Sequence, residues 1–207
     1  MVLRDTDLAR SRYQRVSIIY DLFESIPERI FSRWRKRLWA DVHGPKVLEV
    51  GVGTGRNIPF YPPGLDITAV DLTPGMLDRA KNSAEKLGCA VRLQLGDAQA
   101  LDFADNTFDS AAATFVFCSV PDPLKGLQEI SRILRKNGRV YLLEHVRSEN
   151  RVLGALMDFL NPLTRSVMGT EINRRTVDTV SKAGLRLVSV ENLSKAGIFK
   201  YIVAQKE

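Results

Sequence analysis

The hydrophobic residues of the chain change their spacing along its length, and this change predicts the order of the secondary-structure elements. From Asp7 to about Asp41 they recur every three or four residues, as on one face of a helix, and Pro27 suits the first turn of a second helix. From residue 46 onward, short apolar runs alternate with helical segments. Alternating strands and helices predict an α/β fold with a mostly parallel sheet.

Five core strands and the helices between them follow from this pattern. The strands are predicted at residues 46–51, 66–71, 90–95, 110–116 and 139–146. Thr73-Pro74 and Asp122-Pro123 each combine a helix-capping residue with a first-turn proline. Gly88 and Asn137-Gly138 are typical of the positions where helices end.

The alternation breaks after the fifth strand. An apolar stretch interrupted by Asn161-Pro162 predicts an inserted lid, and a helix at 176–183 follows. Two strands at 185–192 and 198–204, joined by a short turn, predict an antiparallel hairpin. We therefore expect a single domain over residues 1–207, with a helical cap at 1–43, a cofactor-binding core at 44–148, a lid at 149–172 and a C-terminal helix and hairpin at 173–207.

Composition restricts the class of protein. With 207 residues, 44% hydrophobic and 26% charged, the chain is typical of a globular domain. Cys89 and Cys118 form no disulfide framework and the N-terminus lacks the apolar core of a signal peptide, so we expect a cytoplasmic protein. Since His43 and His145 are the only histidines and no Cys/His cluster exists, we expect no metal site.

The positive charge is unevenly distributed. The formal net charge of +6 is concentrated in the first 40 residues and in residues 147–186. Residues 29–39 are basic and aromatic, a pattern typical of a helix that lies in a membrane interface. The alternative is a helix that docks on the sheet and leaves its charges in water.

A glycine-rich turn follows the first core strand. Glycines stand at 51, 53 and 55 after Glu49, which gives the pattern E-x-G-x-G-x-G. Arg56 occupies the place of the third glycine in the dinucleotide fingerprint, which disfavours an NAD enzyme. A turn at the carboxyl edge of a parallel sheet suits a nucleotide-like ligand, and the alternative is a plain tight turn.

Polar residues also end the next strands. Asp71 lies about 20 residues after the first glycine, where an acidic residue can accept hydrogen bonds from ribose hydroxyls. Its alternative role is to cap the following helix, although Thr73 is better placed for that. Asp97 ends the third strand, and its alternative role is to cap a helix at 98–101.

Two further groups lie near the expected ligand edge. His145 ends the fifth strand, where it can take a proton near neutral pH or serve a structural hydrogen bond. Cys118 is either a nucleophile or, with no partnered base nearby in the sequence, a packing thiol.

With these motifs, residues 13–204 resemble the Rossmann-like (class I) S-adenosylmethionine (SAM)-dependent methyltransferases, and in particular bacterial phospholipid N-methyltransferases and ubiquinone/menaquinone C-methyltransferases. The matching segments are Tyr20-Asp21, the Trp- and Arg-rich helix after it, and residues 47–55, 70–77, 96–98, 108–109 and 134–138. Residues 60–64, 118–120 and 144–146 also look like membrane-associated animal thiol methyltransferases. Leu22-Phe23-Glu24 and 115–120 depart from the Asn-rich segments of the quinone enzymes.

The resemblance implies a seven-stranded, Rossmann-like, mostly parallel sheet whose last strand is antiparallel, with helices on both faces and an N-terminal helical cap. It implies SAM as cofactor and S-adenosylhomocysteine as product. The Asp97 carboxylate would face the adenine amine, and the loop after the fourth strand would hold the methyl group. The implied cofactor-binding residues are Glu49, Gly51, Gly53, Gly55, Asp71, Leu72, Met76, Asp97, Ala98 and Phe115.

The resemblance also implies an acceptor that is a lipid or a lipophilic small molecule, with phosphatidylethanolamine as the leading expectation. Tyr20 and His145 are the expected catalytic residues. The expected substrate-binding residues are Tyr13, Arg165, Arg174, Arg175 and Lys195. We expect a peripheral protein at an anionic membrane surface, a monomer, and no nucleic-acid substrate, because the N/D-P-P-Y/F signature is absent.

The alternatives are a quinone C-methyltransferase, a small-molecule thiol or amine methyltransferase, and a SAM-binding protein without catalysis.

Overall fold

A computed structural model describes residues 28–207 of the chain. The expected N-terminal residues Tyr13, Tyr20 and Asp21 lie outside the described residues. The elements are α1 (Glu28–Asp41), β1 (Lys46–Val50), a 3₁₀ turn (Ile58–Phe60), β2 (Asp66–Asp71), α2 (Pro74–Leu87), β3 (Arg92–Leu95), β4 (Phe108–Thr114), α3 (Pro123–Ile133), β5 (Leu134–His145), α4 (Arg151–Met168), α5 (Thr176–Lys182), β6 (Leu185–Asn192) and β7 (Phe199–Lys206).

The strands form one seven-stranded sheet in the order β3-β2-β1-β4-β5-β7-β6. All neighbouring pairs among strands β1 to β5 are parallel. Strand β7 is antiparallel to both β5 and β6. The Rossmann-like sheet with an antiparallel last strand is therefore confirmed.

Helices cover both faces of the sheet because the central strands are buried on both sides. Leu48 packs in a core cluster that also contains Ile130 of α3 and Val180 of α5. Val47 points to the other face, into a cluster with Leu38 and Trp39 of α1. The apolar side of α1 thus docks on the sheet, which is the second of the two interpretations of residues 29–39.

Several predicted element boundaries differ from the structure; β4, for example, was predicted at 110–116 and spans Phe108–Thr114. The helix expected to end near Asn137-Gly138 ends at Ile133, because Leu134 already pairs with Phe108 at the start of β5. Asn137 then adopts a left-handed conformation with φ 65° inside β5, which explains the turn signal in the sequence. Strand β3 begins at Arg92, two residues later than expected.

The stretch expected as a lid contains one continuous helix, α4, which runs through Asn161-Pro162. Asn150 caps α4 by accepting from the backbone N–H groups of Val152 and Leu153 at 3.0 and 3.1 Å. Pro162 removes only one helical hydrogen bond, from the carbonyl of Asp158, and both residues are exposed, so water can reach that carbonyl. None of the helices within residues 28–207 has both the length and the apolarity needed to cross a membrane.

Candidate functional site

A pocket opens at the carboxyl ends of β1, β2 and β4. The strand order reverses here, because β2 and β3 lie on one side of β1 and β4 lies on the other. Its lining joins the glycine turn after β1, the ends of β2 and β3, the loop after β4 and one residue of α1. The lining residues are Arg35, Val50–Thr54, Arg56, Val70–Thr73, Met76, Gly96–Ala98, Thr114–Val116 and Ser119–Pro121. Eight of the ten expected cofactor residues are among them, all except Glu49 and Gly55.

The glycine turn needs glycine for conformation and for space. Gly51 has φ 72°, and a Cβ atom there would lie 2.5 Å from Cγ2 of Val116. Gly55 has φ 84°, and a Cβ atom there would lie 2.8 Å from Cδ1 of Ile58. The turn therefore brings its backbone to the pocket wall at a distance that a side chain would prevent, as a closely held ligand requires.

Asp71 holds the turn and faces the same pocket. Its Oδ2 accepts from the Gly53 N–H at 2.9 Å, and its Oδ1 accepts from the Thr73 N–H at 3.0 Å and the Thr73 hydroxyl at 2.9 Å. Because the Thr73 hydroxyl donates to Asp71, the Thr73 side chain does not cap α2. A carboxylate has about four acceptor sites, so Asp71 can still accept from ligand hydroxyls. Burial raises the pKa of Asp71.

Asp97 lies at the end of β3 beside Ala98. Its Oδ1 accepts from the backbone N–H of Gln99 at 2.8 Å and from the Gln99 side chain at 3.1 Å. Residues 98–101 contain only a short turn closed by a bridge between Asp97 and Ala100, so the alternative role of Asp97 as a helix cap is not observed. The carboxylate stays half-exposed in the pocket wall, where it can accept from an amine.

A buried polar network lies behind the opposite wall. Glu49 is fully buried and accepts from the Asn57 amide and the Tyr61 hydroxyl. Burial raises the pKa of Glu49 to about 7. Arg35 Nη1 donates to Thr114 Oγ1 at 2.7 Å and to Asn57 Oδ1 at 3.1 Å. The network therefore fixes the guanidinium of Arg35, which is 5% exposed, at the pocket wall.

Aromatic side chains extend from the pocket at Phe115, which has a positive φ of 58°. Its ring centroid lies 4.9 Å from that of Phe31 and 5.9 Å from that of Phe199, while Trp34 lies 5.4 Å from Phe199. The His145 ring lies 5.2 Å from Phe199. We call these five residues the aromatic wall. A bulky residue with positive φ is strained, and such strain is held where the surrounding packing demands it.

His145 belongs to the aromatic wall and is not part of the pocket lining. Burial lowers its pKa, so the imidazole is neutral at pH 7. A neutral imidazole can accept a proton, which the proposed catalytic role needs. The expected catalytic residue Tyr20 lies outside the described residues.

The loop after β4 is held by buried groups. Glu144 Oε1 accepts from the backbone N–H groups of Val116 and Phe117 at 3.0 and 3.2 Å, and burial raises its pKa to about 8. Burial also raises the pKa of the Cys118 thiol to about 12. Cys118 is therefore a thiol at neutral pH, which argues for packing and against a nucleophile.

The four expected substrate-binding cations do not line the pocket. Arg174 Nη2 donates to the Val120 carbonyl at 2.8 Å, and its Nε lies 3.3 Å from Glu171, so this residue ties the segment after α4 to the pocket rim. Arg175 lies with Arg174 on a second concavity. Arg165 is 71% exposed and Lys195 is exposed in the β6–β7 turn. Within residues 28–207 no group of three or more potential metal ligands comes together.

The sequence reasoning missed Arg35, Asn57, Thr114 and Phe199 as parts of this site. They come from α1, the 3₁₀ turn, β4 and β7, and only the packed sheet brings them together. No local motif marks any of them. Trp34 and Phe31 were visible in the sequence only as part of a basic aromatic helix.

The chain matches known proteins over the same core. Residues 48–142 match the family described as the methyltransferase domain. A phosphatidylethanolamine N-methyltransferase of Cereibacter sphaeroides is 29% identical over 98% of this chain and 99% of its own length. A thiol S-methyltransferase of Rattus norvegicus is 32% identical over 83% of this chain and 72% of its own length. A ubiquinone/menaquinone biosynthesis C-methyltransferase of Cereibacter sphaeroides is 30% identical over 88% and 84%.

A solved structure from Thermotoga maritima, described as a SAM-dependent methyltransferase and possible histamine N-methyltransferase, has the same fold. It superposes with a TM-score of 0.73 over 96% of this chain and all of its own, at 21% identity. The glycine turn and the carboxylates at the ends of β2 and β3 fit the nucleoside that such enzymes bind. The chain is an enzyme that uses SAM and belongs to the class I, Rossmann-like SAM-dependent methyltransferases.

Proposed function

We propose that the protein N-methylates phosphatidylethanolamine and its methylated derivatives at the surface of an anionic membrane. The observation that carries this proposal is the match to the phosphatidylethanolamine N-methyltransferase, which extends over 98% of this chain and 99% of the relative. The match covers only 84% of the quinone enzyme and 72% of the thiol enzyme, so a larger part of each lies outside the alignment. A shared length supports a shared set of elements around the acceptor.

In this proposal the nucleoside of SAM lies against the side of the pocket formed by the ends of β2 and β3. Asp71 accepts from the ribose hydroxyls, and Asp97 accepts from the adenine amine beside the backbone of Ala98. Leu72 and Met76 give apolar contacts to the base, while the Gly51–Gly55 turn carries the methionine part. Arg35 supplies a fixed positive charge that would complement the carboxylate of the methionine part of SAM.

The aromatic wall suits an amine acceptor. The faces of aromatic rings attract ammonium groups, and methylated ammonium groups are recognised by aromatic cages. Phe115 lies at the boundary between the pocket and the wall, so it would face the transferred methyl group. The ammonium group of phosphatidylethanolamine becomes larger and stays cationic with each methylation, and aromatic rings can accommodate both changes.

Catalysis needs alignment and a proton acceptor. SAM, when bound, supplies a methyl group already activated by its sulfonium charge. The ammonium of the acceptor must lose a proton before its nitrogen can take that methyl group. His145, neutral at pH 7, is the described residue we propose for that proton, and Tyr20 is the second candidate. Phe115 and Trp34 exclude water from the reacting atoms.

The acceptor phosphate needs positive charge near the rim. Arg174 is engaged with Val120 and Glu171, so we assign it a supporting role. Arg165 and Arg175 are exposed and remain the proposed phosphate contacts, with Lys195 as a more distant contributor. Tyr13 remains a proposed acceptor contact outside the described residues.

The test offers three acceptors to the same protein with methyl-labelled SAM. The phosphatidylethanolamine is presented in vesicles that also contain phosphatidylglycerol. A demethylated quinol or an alkyl thiol is added to the same vesicles in separate reactions. Label in the lipid fraction supports the proposal, and label only in the quinol or the thiol replaces it with one of the alternatives. If the protein binds S-adenosylhomocysteine by calorimetry but labels none of the three, the proposal is wrong and a SAM-binding protein without catalysis is favoured.

A further inference from the structure

Helix α4 presents an apolar face to solvent. Val152, Phe159 and Leu163 are 81%, 80% and 62% exposed. Leu156 and Leu160 lie between them, so the five residues recur at the spacing of one helix face. We call these five side chains the α4 face. Contiguous apolar surfaces of this kind mark interaction sites.

The opposite side of α4 is anchored to the protein, so the exposure of the α4 face is a result of how the helix docks. Met157 is buried, and Arg147 donates to both carboxylate oxygens of Asp158 at 2.8 to 3.0 Å. A Cβ atom on Gly154 would lie 2.6 Å from the Arg147 guanidinium. The Asn161 side chain accepts from the Ile172 N–H at 2.9 Å. The helix therefore cannot roll to bury the α4 face without losing these contacts.

The charges around the α4 face select its partner. Arg151 and Arg165 stand near the two ends of the helix and both are exposed; Arg165 lies 3.8 Å from Glu171, which is much less exposed than Arg165. The one acidic residue of the helix, Asp158, is paired with Arg147. An anionic surface complements such an arrangement, because basic residues beside an apolar helix face are attracted to anionic lipids. A second copy of the chain fits poorly, since a two-fold antiparallel pairing of α4 would bring the Arg151 end against the Arg165 end of the partner.

We propose that the α4 face seats the protein on the surface of an anionic bilayer, with the 18-residue helix lying along it over about 27 Å. The choice of a bilayer rests on the proposed function. Residues just after α4 reach the pocket rim, where the Glu171 N–H donates to the Cys118 carbonyl at 2.8 Å. Arg174 makes a second link to Val120. A bilayer on α4 thus delivers lipid to the side of the pocket where the acceptor enters.

The basic aromatic residues of α1 are not the membrane contact in this proposal. The sequence left a membrane contact and docking on the sheet open for them, and in the structure Leu38 and Trp39 are fully buried while Phe31 and Trp34 belong to the aromatic wall. Ile30 is the one large hydrophobic residue of the described part of α1 that is strongly exposed, at 55%. The two helices can be separated by experiment.

The test measures binding to vesicles of phosphatidylcholine and phosphatidylglycerol, which contain no phosphatidylethanolamine, by co-sedimentation. The variant Phe159→Ser/Leu163→Ser should lower the partition coefficient by roughly 10-fold or more, since burial of each side chain contributes substantially to binding. The matched control Val188→Ser/Val190→Ser removes two exposed apolar side chains from β6 and should leave it unchanged. Unchanged binding of S-adenosylhomocysteine shows that each variant is folded.

Three results would overturn the proposal. The α4 variant could partition like the wild-type protein. Ile30→Ser could cause the same loss as the α4 variant, which would assign the contact to α1. The α4 variant could change the mass in sedimentation velocity without changing vesicle binding, which would assign the α4 face to a second copy.

A soluble acceptor separates this proposal from the proposed function. On short-chain phosphatidylethanolamine below its micelle concentration, the α4 variant should turn over at the wild-type rate, while its rate on vesicles falls. If neither lipid is methylated but the wild-type protein binds vesicles through α4, the surface stands and the proposed acceptor is wrong. If lipid is methylated and the α4 variant still binds vesicles normally, the acceptor stands and the surface is wrong.

Discussion

The two sides of the pocket are built in different ways. The nucleotide side, which is the part proposed to bind the nucleoside of SAM, comes from the ends of consecutive parallel strands, with the Gly51–Gly55 turn, Asp71 and Asp97 each following its own strand. The acceptor side, which is the part proposed to hold the methyl acceptor, combines Phe31 from α1, Phe115 from the end of β4 and Phe199 from β7. The first arrangement is a property of the sheet, whereas the second depends on how particular helices and strands pack.

This difference explains how methyltransferases named for different acceptors can all resemble this chain. The phospholipid, thiol and quinone enzymes are 29%, 32% and 30% identical to the chain over the aligned parts. The residues proposed to bind the nucleoside at the strand ends are positioned by the backbone geometry of the parallel sheet. Changes of acceptor can occur on the other side without disturbing that geometry, which is how one fold supports several reactions.

The largest effect should come from a change to the nucleotide side. Gly51→Ala places a Cβ atom against Val116 at a residue with φ 72°. We expect SAM affinity to fall by roughly 100-fold, because strain and overpacking each cost about 1–3 kcal/mol in the turn that carries the ligand. Calorimetry with S-adenosylhomocysteine measures this loss.

Gly64→Ala is the matched control for this change. Gly64 has a similar φ of 83°, but a Cβ atom there meets nothing within 4 Å, and the residue does not line the pocket. It should lower thermal stability slightly and leave SAM affinity unchanged. Equal losses of affinity in the two variants would show that the close approach at Gly51 has no special role.

The same division separates what could be predicted from what could not. Asp71 and Asp97 were predictable, because an acidic residue at the end of a parallel strand must face the ligand edge. Phe199 and Arg35 were not, since their neighbours across the sheet are far away in the chain. The end of α3 was misplaced for the same reason: Asn137-Gly138 is a sound turn signal, but the pairing of Leu134 with Phe108 decides that the turn lies inside a strand.

Arg35 lies at the boundary between the two sides, and its substitution should have an intermediate effect. Arg35→Lys keeps the charge but loses the paired hydrogen bonds to Thr114 and Asn57. We expect SAM affinity to fall by about 10-fold, the usual weight of a charged hydrogen bond. Arg33→Lys, an exposed residue of the same helix, should have no effect. Unchanged SAM affinity in Arg35→Lys would exclude a role for the buried network in cofactor binding.

A change confined to the acceptor side should leave the cofactor alone. Phe199→Leu removes the ring that contacts Phe31, Trp34, Phe115 and His145. We expect KM for the acceptor to rise about 5-fold, since aromatic pairs contribute about 1 kcal/mol beyond their burial, with the Kd of SAM unchanged. Steady-state kinetics with varied acceptor measure this.

Phe103→Leu is the control for that prediction. It removes a partly buried ring that packs edge-on against Phe108, at 4.9 Å, in the core cluster on the other face of the sheet. Stability should fall in both variants, but KM for the acceptor should rise only in Phe199→Leu. A rise in the Kd of SAM in Phe199→Leu would mean that the two sides are not independent.

A change at Glu144 should have the smallest effect on SAM binding but a clear effect on how stability depends on pH. The Glu144 carboxyl holds the loop after β4, which joins the two sides of the pocket. It accepts from the N–H groups of Val116 and Phe117, and its Oε2 has no hydrogen-bond partner among the described residues. Burial raises its pKa to about 8 from an ordinary value of 4.5. The folded protein therefore retains a proton that the unfolded chain releases, and stability falls as pH rises from about 4.5 to about 8.

Glu144→Gln mimics the protonated carboxyl at every pH. The amide oxygen can still accept from the two N–H groups, so the variant should bind SAM almost as the wild-type protein does. Its free energy of unfolding should decline less between pH 5 and pH 8, by about 2 kcal/mol or more. Urea unfolding at several pH values compares the two proteins, and because Glu49 contributes to both with the same sign, the difference isolates Glu144. Parallel pH profiles would mean that the carboxyl is charged in the folded state, and that the loop between the two sides is held by an anion.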